Sequence, residues 1–392
     1  TREAFDFFYP GYGSSYPSVM GAIGMLTEQG GIGAGRAIET DDGYVLTLRQ
    51  RLFDHYTTSL ATLRKAAERK QLFQQYTYDA LNPANAKAET QAYILPKDDT
   101  GYLTDVIAML LRNGVQVEQA TADFTASAKN YRTGATETTD FSEGDYVIST
   151  NQNRHLFLNS IMGRNLAIED SVMYDMATWS APLAYNLDAY SATRSLNVST
   201  EVLKEAPTPP TDVENADAGY AYVIDWKQRY APRALSMLWK KGYRVRSVEE
   251  MFSNGQHEFS EGTLVVLLGR NRDKLETIEA DMAEIAEATQ VRIHGFDSGR
   301  MPEGVDLASR SSNVIKQPRV ALMVEPPFNT YTSGQIYFLF DQETQLPVER
   351  IRTSILRQTS VPKFGQRYGL ADLNDYDVLI LPDGGSGLRQ VF

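Results

Sequence analysis

The chain has no cysteine in its 392 residues. That absence excludes thiolate nucleophiles, disulfides and cysteine metal sites together. A disulfide-free chain fits the cytosol, a bacterial periplasm or an outer surface equally well. Histidine is scarce, with only His55, His155, His257 and His294 present. None begins an HxxE or HExxH pattern, and no two lie at helical i, i+4 spacing. A zinc site built wholly within this sequence is therefore not expected. No apolar run approaches the ~20 residues of a membrane-crossing helix. Positive charge is also short, with 38 Lys and Arg against 50 Asp and Glu, a net charge of −12. That balance argues against nucleic acid or an anionic membrane surface as a partner. The acidic excess is spread along the chain and reads mainly as solubility.

What is present is enough for about two or three domains. The 42% hydrophobic content is ordinary for a globular chain that buries a core. The first informative stretch is Tyr9-Pro-Gly-Tyr-Gly-Ser-Ser-Tyr-Pro-Ser18, which runs into Gly21-Ala-Ile-Gly-Met-Leu-Thr-Glu-Gln29. It joins an aromatic, glycine-rich loop to a small-residue segment, expected as a strand, that ends in one acid. Glycines let backbone approach a ligand closely, and tyrosines supply hydroxyls. Glu28 closes an almost uncharged run, where a carboxylate needs a partner or a task. Two readings stand: a tight turn before a buried, capped strand, or a ligand loop with a working carboxylate.

Residues 44–73 read as a strand and a long helix. Leu52, Tyr56, Leu60, Leu63 and Ala67 form one apolar stripe at three- and four-residue steps. Arg64, Lys65, Glu68, Arg69 and Lys70 read as the solvated face. The helix is expected to close a first region near residue 80, with Asn82-Pro-Ala-Asn85 as the boundary.

An internal repeat follows. Ala92-Tyr-Ile94 begins a strand, a helix places Leu103, Val106, Ile107 and Leu110 on one face, and Gly114 stops it. A strand at Val115-Gln-Val117 comes next, then Phe141-Ser-Glu-Gly144 and the strand Asp145–Ser149. The order returns at Ala221-Tyr-Val223, a helix ending at Gly242, Tyr243-Arg-Val245, Phe259-Ser-Glu-Gly262 and the strand Thr263–Leu268. Such alternation predicts parallel strands with right-handed crossovers. A further amphipathic helix carries Leu275, Ile278, Met282 and Ile285. Glu205-Ala-Pro-Thr-Pro-Pro-Thr211 reads as a stiff linker. A third start lies at Arg319–Val324, with Pro326, Pro327 and Gly334 before a helix-like Gln335–Asp341, and Asp377–Leu381 reads as its partner strand.

Two other motifs have bland explanations. Asp170 and Asp175 with Trp179 fit a helix cap and a core tryptophan better than a cleft. Asp383-Gly-Gly-Ser-Gly387 lies after a buried-type strand, where α/β sheets bind ligands. It lacks GxGxxG or Walker spacing and reads as a strand-to-helix turn. No GxSxG elbow occurs.

The strings FDFFYPGYGSSYPS, GAIGMLTEQGG and LTLRQRLFDHYTTSLATL, over about residues 5–75, closely resemble the C-terminal end of the catalytic domain of bacterial zinc carboxypeptidases. These are carboxypeptidase A-like enzymes, in a branch of large, multidomain, secreted proteins. YDMATWSAPLAY at 174–185 and the FSEG repeat look like regions that follow the peptidase domain there. The segment from Arg319 resembles the first half of a class I glutamine amidotransferase-like domain. The resemblance implies zinc held by two histidines and a glutamate, polarising the scissile carbonyl and a water. It implies Glu28 as general base on that water and then as acid to the leaving amine. It also implies a substrate-contacting tyrosine, for which Tyr9 fits best and Tyr12 and Tyr16 are rivals. In the family, the zinc ligands and the arginines that bind the substrate carboxylate lie N-terminal to this region, and none is present here. Both ends of the sequence read as cuts through folded units, and the amidotransferase-like segment stops before any nucleophile. The chain alone is thus expected to be inactive.

The expected fold is α/β in five regions. Residues 1–82 end a carboxypeptidase-like catalytic domain, and 83–204 form a first α/β unit. A linker at 205–219 leads to a second unit at 220–317. Residues 318–392 form a partial flavodoxin-like or amidotransferase-like domain. The expected parent is a secreted, periplasmic or cell-surface zinc metallocarboxypeptidase acting on a peptide or protein near its C-terminus. The alternatives are a non-catalytic binding or scaffolding module and, more weakly, an amidotransferase-type enzyme. The residues are silent on oligomeric state.

Overall fold

A computed structural model of the chain describes residues 10–28, 33, 35–86, 89–164, 180–353 and 372–384. It is an α/β protein of two compact units, Thr1–Asp98 with Tyr102–Pro207, and Asp99–Gly101 with Thr208–Phe392.

The first unit opens with a short helix α1 (Ser15–Val19). Residues 23–28 are irregular and largely exposed, not a buried strand. Ile23, Met25 and Leu26 stay exposed, and no described strand pairs with this stretch to satisfy its backbone. A two-residue ladder, β1 (Ile38–Glu39) with β2 (Val45–Leu46), leads into α2 (Leu48–Glu68). Thr47 caps α2, its side chain accepting from the Gln50 N–H at 3.2 Å. α3 (Lys70–Leu81) follows after a break at Arg69. The predicted apolar stripe of α2 faces solvent, with Leu52, Tyr56 and Leu63 all exposed.

The rest of this unit comprises β3 (Ala92–Leu95), α4 (Tyr102–Arg112), β4 (Glu118–Ala120), β5 (Phe124–Asn130), β6 (Thr136–Phe141), β7 (Tyr146–Ser149), α5 (His155–Met162), α6 (Ala181–Ala184), β8 (Tyr190–Ala192) and β9 (Thr200–Val202). The sheet order is β6-β5-β8-β3-β7-β4-β9, with every neighbouring pair antiparallel. Leu103, Val106, Ile107 and Leu110 of α4 are fully buried against β3 and β7.

The second unit comprises β10 (Val213–Glu214), β11 (Ala221–Ile224), α7 (Ala231–Lys240), β12 (Val245–Val248), β13 (Phe252–Ser253), β14 (Glu258–Phe259), β15 (Leu264–Leu267), α8 (Ile278–Thr289), β16 (Ile293–Phe296), β17 (Glu303–Gly304) and β18 (Ser312–Ile315). Its main sheet runs β10-β16-β11-β15-β12-β18, and β14-β13-β17 form a small second sheet. Ala231, Ala234, Leu235 and Leu238 of α7 pack with Ile278, Met282, Ile285 and Ala286 of α8.

The repeat is structural. The cores β8-β3-β7-β4-β9 and β16-β11-β15-β12-β18 have the same order. Both first helices end in one motif: Gly114 N–H donates to Leu111 O and Val115 N–H to Leu110 O, as Gly242 does to Trp239 and Tyr243 to Leu238. Both FSEG turns hook the end of the second strand, Gly144 N–H donating to Ala120 O at 2.9 Å and Gly262 N–H to Val248 O at 2.7 Å. The expected purely parallel arrangement does not hold. The two strands joined by each helix are parallel, but the strand after FSEG returns and inserts antiparallel between them.

The last segment is parallel. β19 (Val320–Met323), α9 (Thr330–Phe338), β20 (Val348–Ile351) and β21 (Val378–Ile380) give the order β20-β19-β21. α9 starts earlier than the sequence suggests and carries Gly334 inside it. Asn329 supplies the start signal, its side chain accepting from the N–H groups of Tyr331 and Thr332.

Candidate functional site

The residues implicated by the family resemblance are placed as follows. Tyr9 lies outside the described residues, as do Asp170, Asp175 and Trp179. Glu28 is exposed at the end of the irregular 23–28 stretch and makes no hydrogen bond or ion pair among the described residues. Tyr16 is engaged in packing: its hydroxyl donates to Asn113 Oδ1 at 2.9 Å and its ring meets Phe157 edge-on. Tyr12 is half-buried. Its carbonyl accepts from Ser15 and Tyr16.

A different constellation assembles in the second unit. Glu214, His257 and His294 each offer a ligand atom, all within 4.8 Å of one another. The histidine spacing in the sequence gives no sign of this cluster. The three residues converge from separate segments, so no HxxE spacing announces them. β10 pairs parallel with β16, which puts Glu214 directly beside His294. His257 comes from the β13–β14 hairpin. There the Asn254 side chain accepts from the N–H groups of Gln256 at 2.9 Å and His257 at 2.7 Å. Gly255 takes a positive φ of 87° at the turn. The Asn254-Gly255 dipeptide is a readable hairpin signal. Its meeting with Glu214, 43 positions before it, and His294, 37 positions after it, is not readable from spacing.

The geometry is asymmetric. His294 Nδ1 lies 2.8 Å from Glu214 Oε2, and His257 Nε2 lies 3.4 Å from the same oxygen. The other oxygen, Oε1, faces Arg292 Nε at 3.4 Å, and Arg292 Nε also reaches Asp212 Oδ1 at 3.0 Å. The His294 side chain is 10% exposed, against 38% for His257 and 36% for Glu214. Phe259 meets the His294 ring edge-on at 5.0 Å, and Phe252 and Phe296 pack around Phe259. Gly295 is required beside His294, because a Cβ there would lie 2.0 Å from the Asn215 carbonyl oxygen.

Burial lowers the His294 pKa, and His257 adds to the effect while Glu214 opposes it. That direction favours the neutral imidazole, the form that binds metal. Burial also acts on Arg292 in the lowering direction, but the Asp212 hydrogen bond and the acids around it raise its pKa overall. The site is thus a cation-competent group of two nitrogens and one oxygen, with its glutamate oriented by a fixed guanidinium.

These residues do not fit the family's zinc site. They belong to the second repeat, whereas the resemblance lies within residues 5–75. No helix among the described residues is long and apolar enough to cross a membrane. No family model, curated protein or solved structure matches the chain.

Proposed function

We propose that the chain carries the closing part of a zinc metallocarboxypeptidase's catalytic domain, from a secreted or surface protein that removes residues near peptide C-termini. Glu28 is its proton-transferring carboxylate. The zinc ligands this chemistry needs have no counterpart in the sequence. The observation that carries the reading is the unfinished packing of residues 22–78. Ile23, Met25, Ala61, Ala66, Phe73 and Tyr76 line an apolar groove. Leu52, Phe53, Tyr56 and Leu63 stand exposed along α2. A 21-residue helix with such a stripe is built to pack against more protein. The remainder of a catalytic domain is the cover this reading supplies. Glu28, exposed and unpaired among the described residues, is available to a site completed by that cover.

The test uses the intact gene product. Zinc content and release of C-terminal residues from a peptide are measured with Glu28→Gln beside the parent. The expected loss in turnover is on the order of 10²–10⁴-fold, the usual contribution of a positioned acid–base group. Full activity in Glu28→Gln removes Glu28 from the mechanism. An intact protein without an HxxE and a later histidine removes the peptidase reading. A second reading has its own support: each repeat buries an apolar α/β core of its own among the described residues. A non-catalytic binding or scaffolding role for them predicts that they retain structure whether or not the intact protein hydrolyses peptides.

A further inference from the structure

We propose that Glu214, His257 and His294 form a binding site for one divalent transition-metal cation, which ties the β13–β14 hairpin to β10 and β16. The argument begins with separations. Zinc bonds to nitrogen or carboxylate oxygen at about 2.0–2.2 Å, so tetrahedral ligand atoms sit roughly 3.3 Å apart. The two edges to Glu214 Oε2, 2.8 and 3.4 Å, bracket that spacing. The third edge lies within the same 4.8 Å span.

The residues that hold the ligands point the same way. Arg292 occupies Glu214 Oε1 and leaves Oε2 for the two imidazoles. Phe259 fixes the His294 ring, and Asn254 fixes the hairpin that carries His257. Supporting contacts of this kind set ligand orientation in metal sites. The competing account is a hydrogen-bonded His294–Glu214 pair with His257 as a bystander. It explains the 2.8 Å contact. It does not explain why a second imidazole converges on the same oxygen, with ring centroids only 4.8 Å apart at a 54° tilt.

Donor chemistry narrows the cation. Two imidazoles and one carboxylate suit zinc, nickel, cobalt or copper, whereas magnesium and calcium prefer all-oxygen shells. Three protein ligands leave a fourth position for water. In a chain without cysteine, the cation supplies the kind of cross-link that a disulfide gives elsewhere.

The test is titration of the full 392-residue chain, stripped with chelator and dialysed, with zinc chloride followed by calorimetry. The parent is expected to bind about one equivalent at neutral pH. His257→Ala and Glu214→Gln are expected to weaken binding by at least the roughly 10–100-fold seen when even a supporting group of a metal site is lost. His257 is partly exposed, so its variant is expected to keep the parent's circular dichroism, which is checked first. If it does not, Glu214→Gln, nearly the same shape, decides. His55→Ala, on the exposed α2 helix, is expected to bind like the parent. No binding by the parent overturns the proposal. So does unchanged affinity in His257→Ala and Glu214→Gln, or loss only in His55→Ala. Equal binding of magnesium overturns the assignment of cation class.

Discussion

Asp281 joins α8 to the turn that follows α7. Its Oδ1 accepts from Lys241 Nζ at 2.7 Å, and its Oδ2 accepts from the hydroxyls of Tyr243 at 2.6 Å and Thr277 at 3.1 Å. Burial alone would raise its pKa. The hydrogen bonds from Lys241, Tyr243 and Thr277 outweigh burial and hold it below the ordinary 3.8. A carboxylate with a depressed folded-state pKa contributes stability that is present above its unfolded value and lost as pH falls through the folded one. Denaturant midpoints are therefore expected to fall below about pH 4 more steeply in the parent than in Asp281→Asn. The same acid slope in both would discard this role. The lysine and tyrosine were visible in the sequence, but their meeting with Asp281 was not, because Lys241 lies 40 residues away. The metal triad was hidden for the same reason: Glu214 and His294 are 80 residues apart and meet only through strand register.

Elements were legible wherever their signal is local. The buried face of α4 follows from Leu103, Val106, Ile107 and Leu110 at helical spacing, and Gly114 and Gly242 marked both helix ends because each must adopt a positive φ. Strand direction was not legible. Parallel and antiparallel neighbours bury the same apolar residues, and Leu264–Leu267 reads alike whichever way it enters the sheet. The FSEG turn sets that direction by anchoring the chain to the end of β4 or β12 before the strand returns. Its glycine is thus the residue on which the element depends. Gly262 has φ +86°, and an added Cβ would lie 3.0 Å from Trp226 Cδ1. Gly144 has φ +94° and faces the flexible Lys97 chain at 3.4 Å and the Gln119 amide at 3.7 Å. Each alanine variant is expected to lose about 1–2 kcal/mol from left-handed backbone strain, Gly262→Ala the more of the two. Urea unfolding measures both. Losses inside ~0.5 kcal/mol, the range of neutral surface changes, would show that the turn does not hold the strand.

At the scale of the whole molecule, the chain divides its apolar residues between two uses. In the repeats they are sealed inside: Leu110 and Leu238 are fully buried in the cores of their respective units. Along α2 they are outside, and Leu63 is 68% exposed. Burial, not residue type, decides what each leucine contributes, so equal chemistry predicts unequal effects. Leu110→Ala and Leu238→Ala each remove a close-packed side chain and leave a cavity, at an expected cost of about 2–5 kcal/mol. Leu63→Gln alters a side chain that is mostly in solvent and should stay within ~0.5 kcal/mol. Guanidinium unfolding of the three variants separates the cases. A loss above ~2 kcal/mol in Leu63→Gln would mean that the α2 stripe is already packed in this chain, which would withdraw the support its exposure gives to the peptidase reading. On the peptidase reading, a protein that supplies the proposed cover should lose more stability from the same substitution, because the leucine is then withdrawn from water on that face as well.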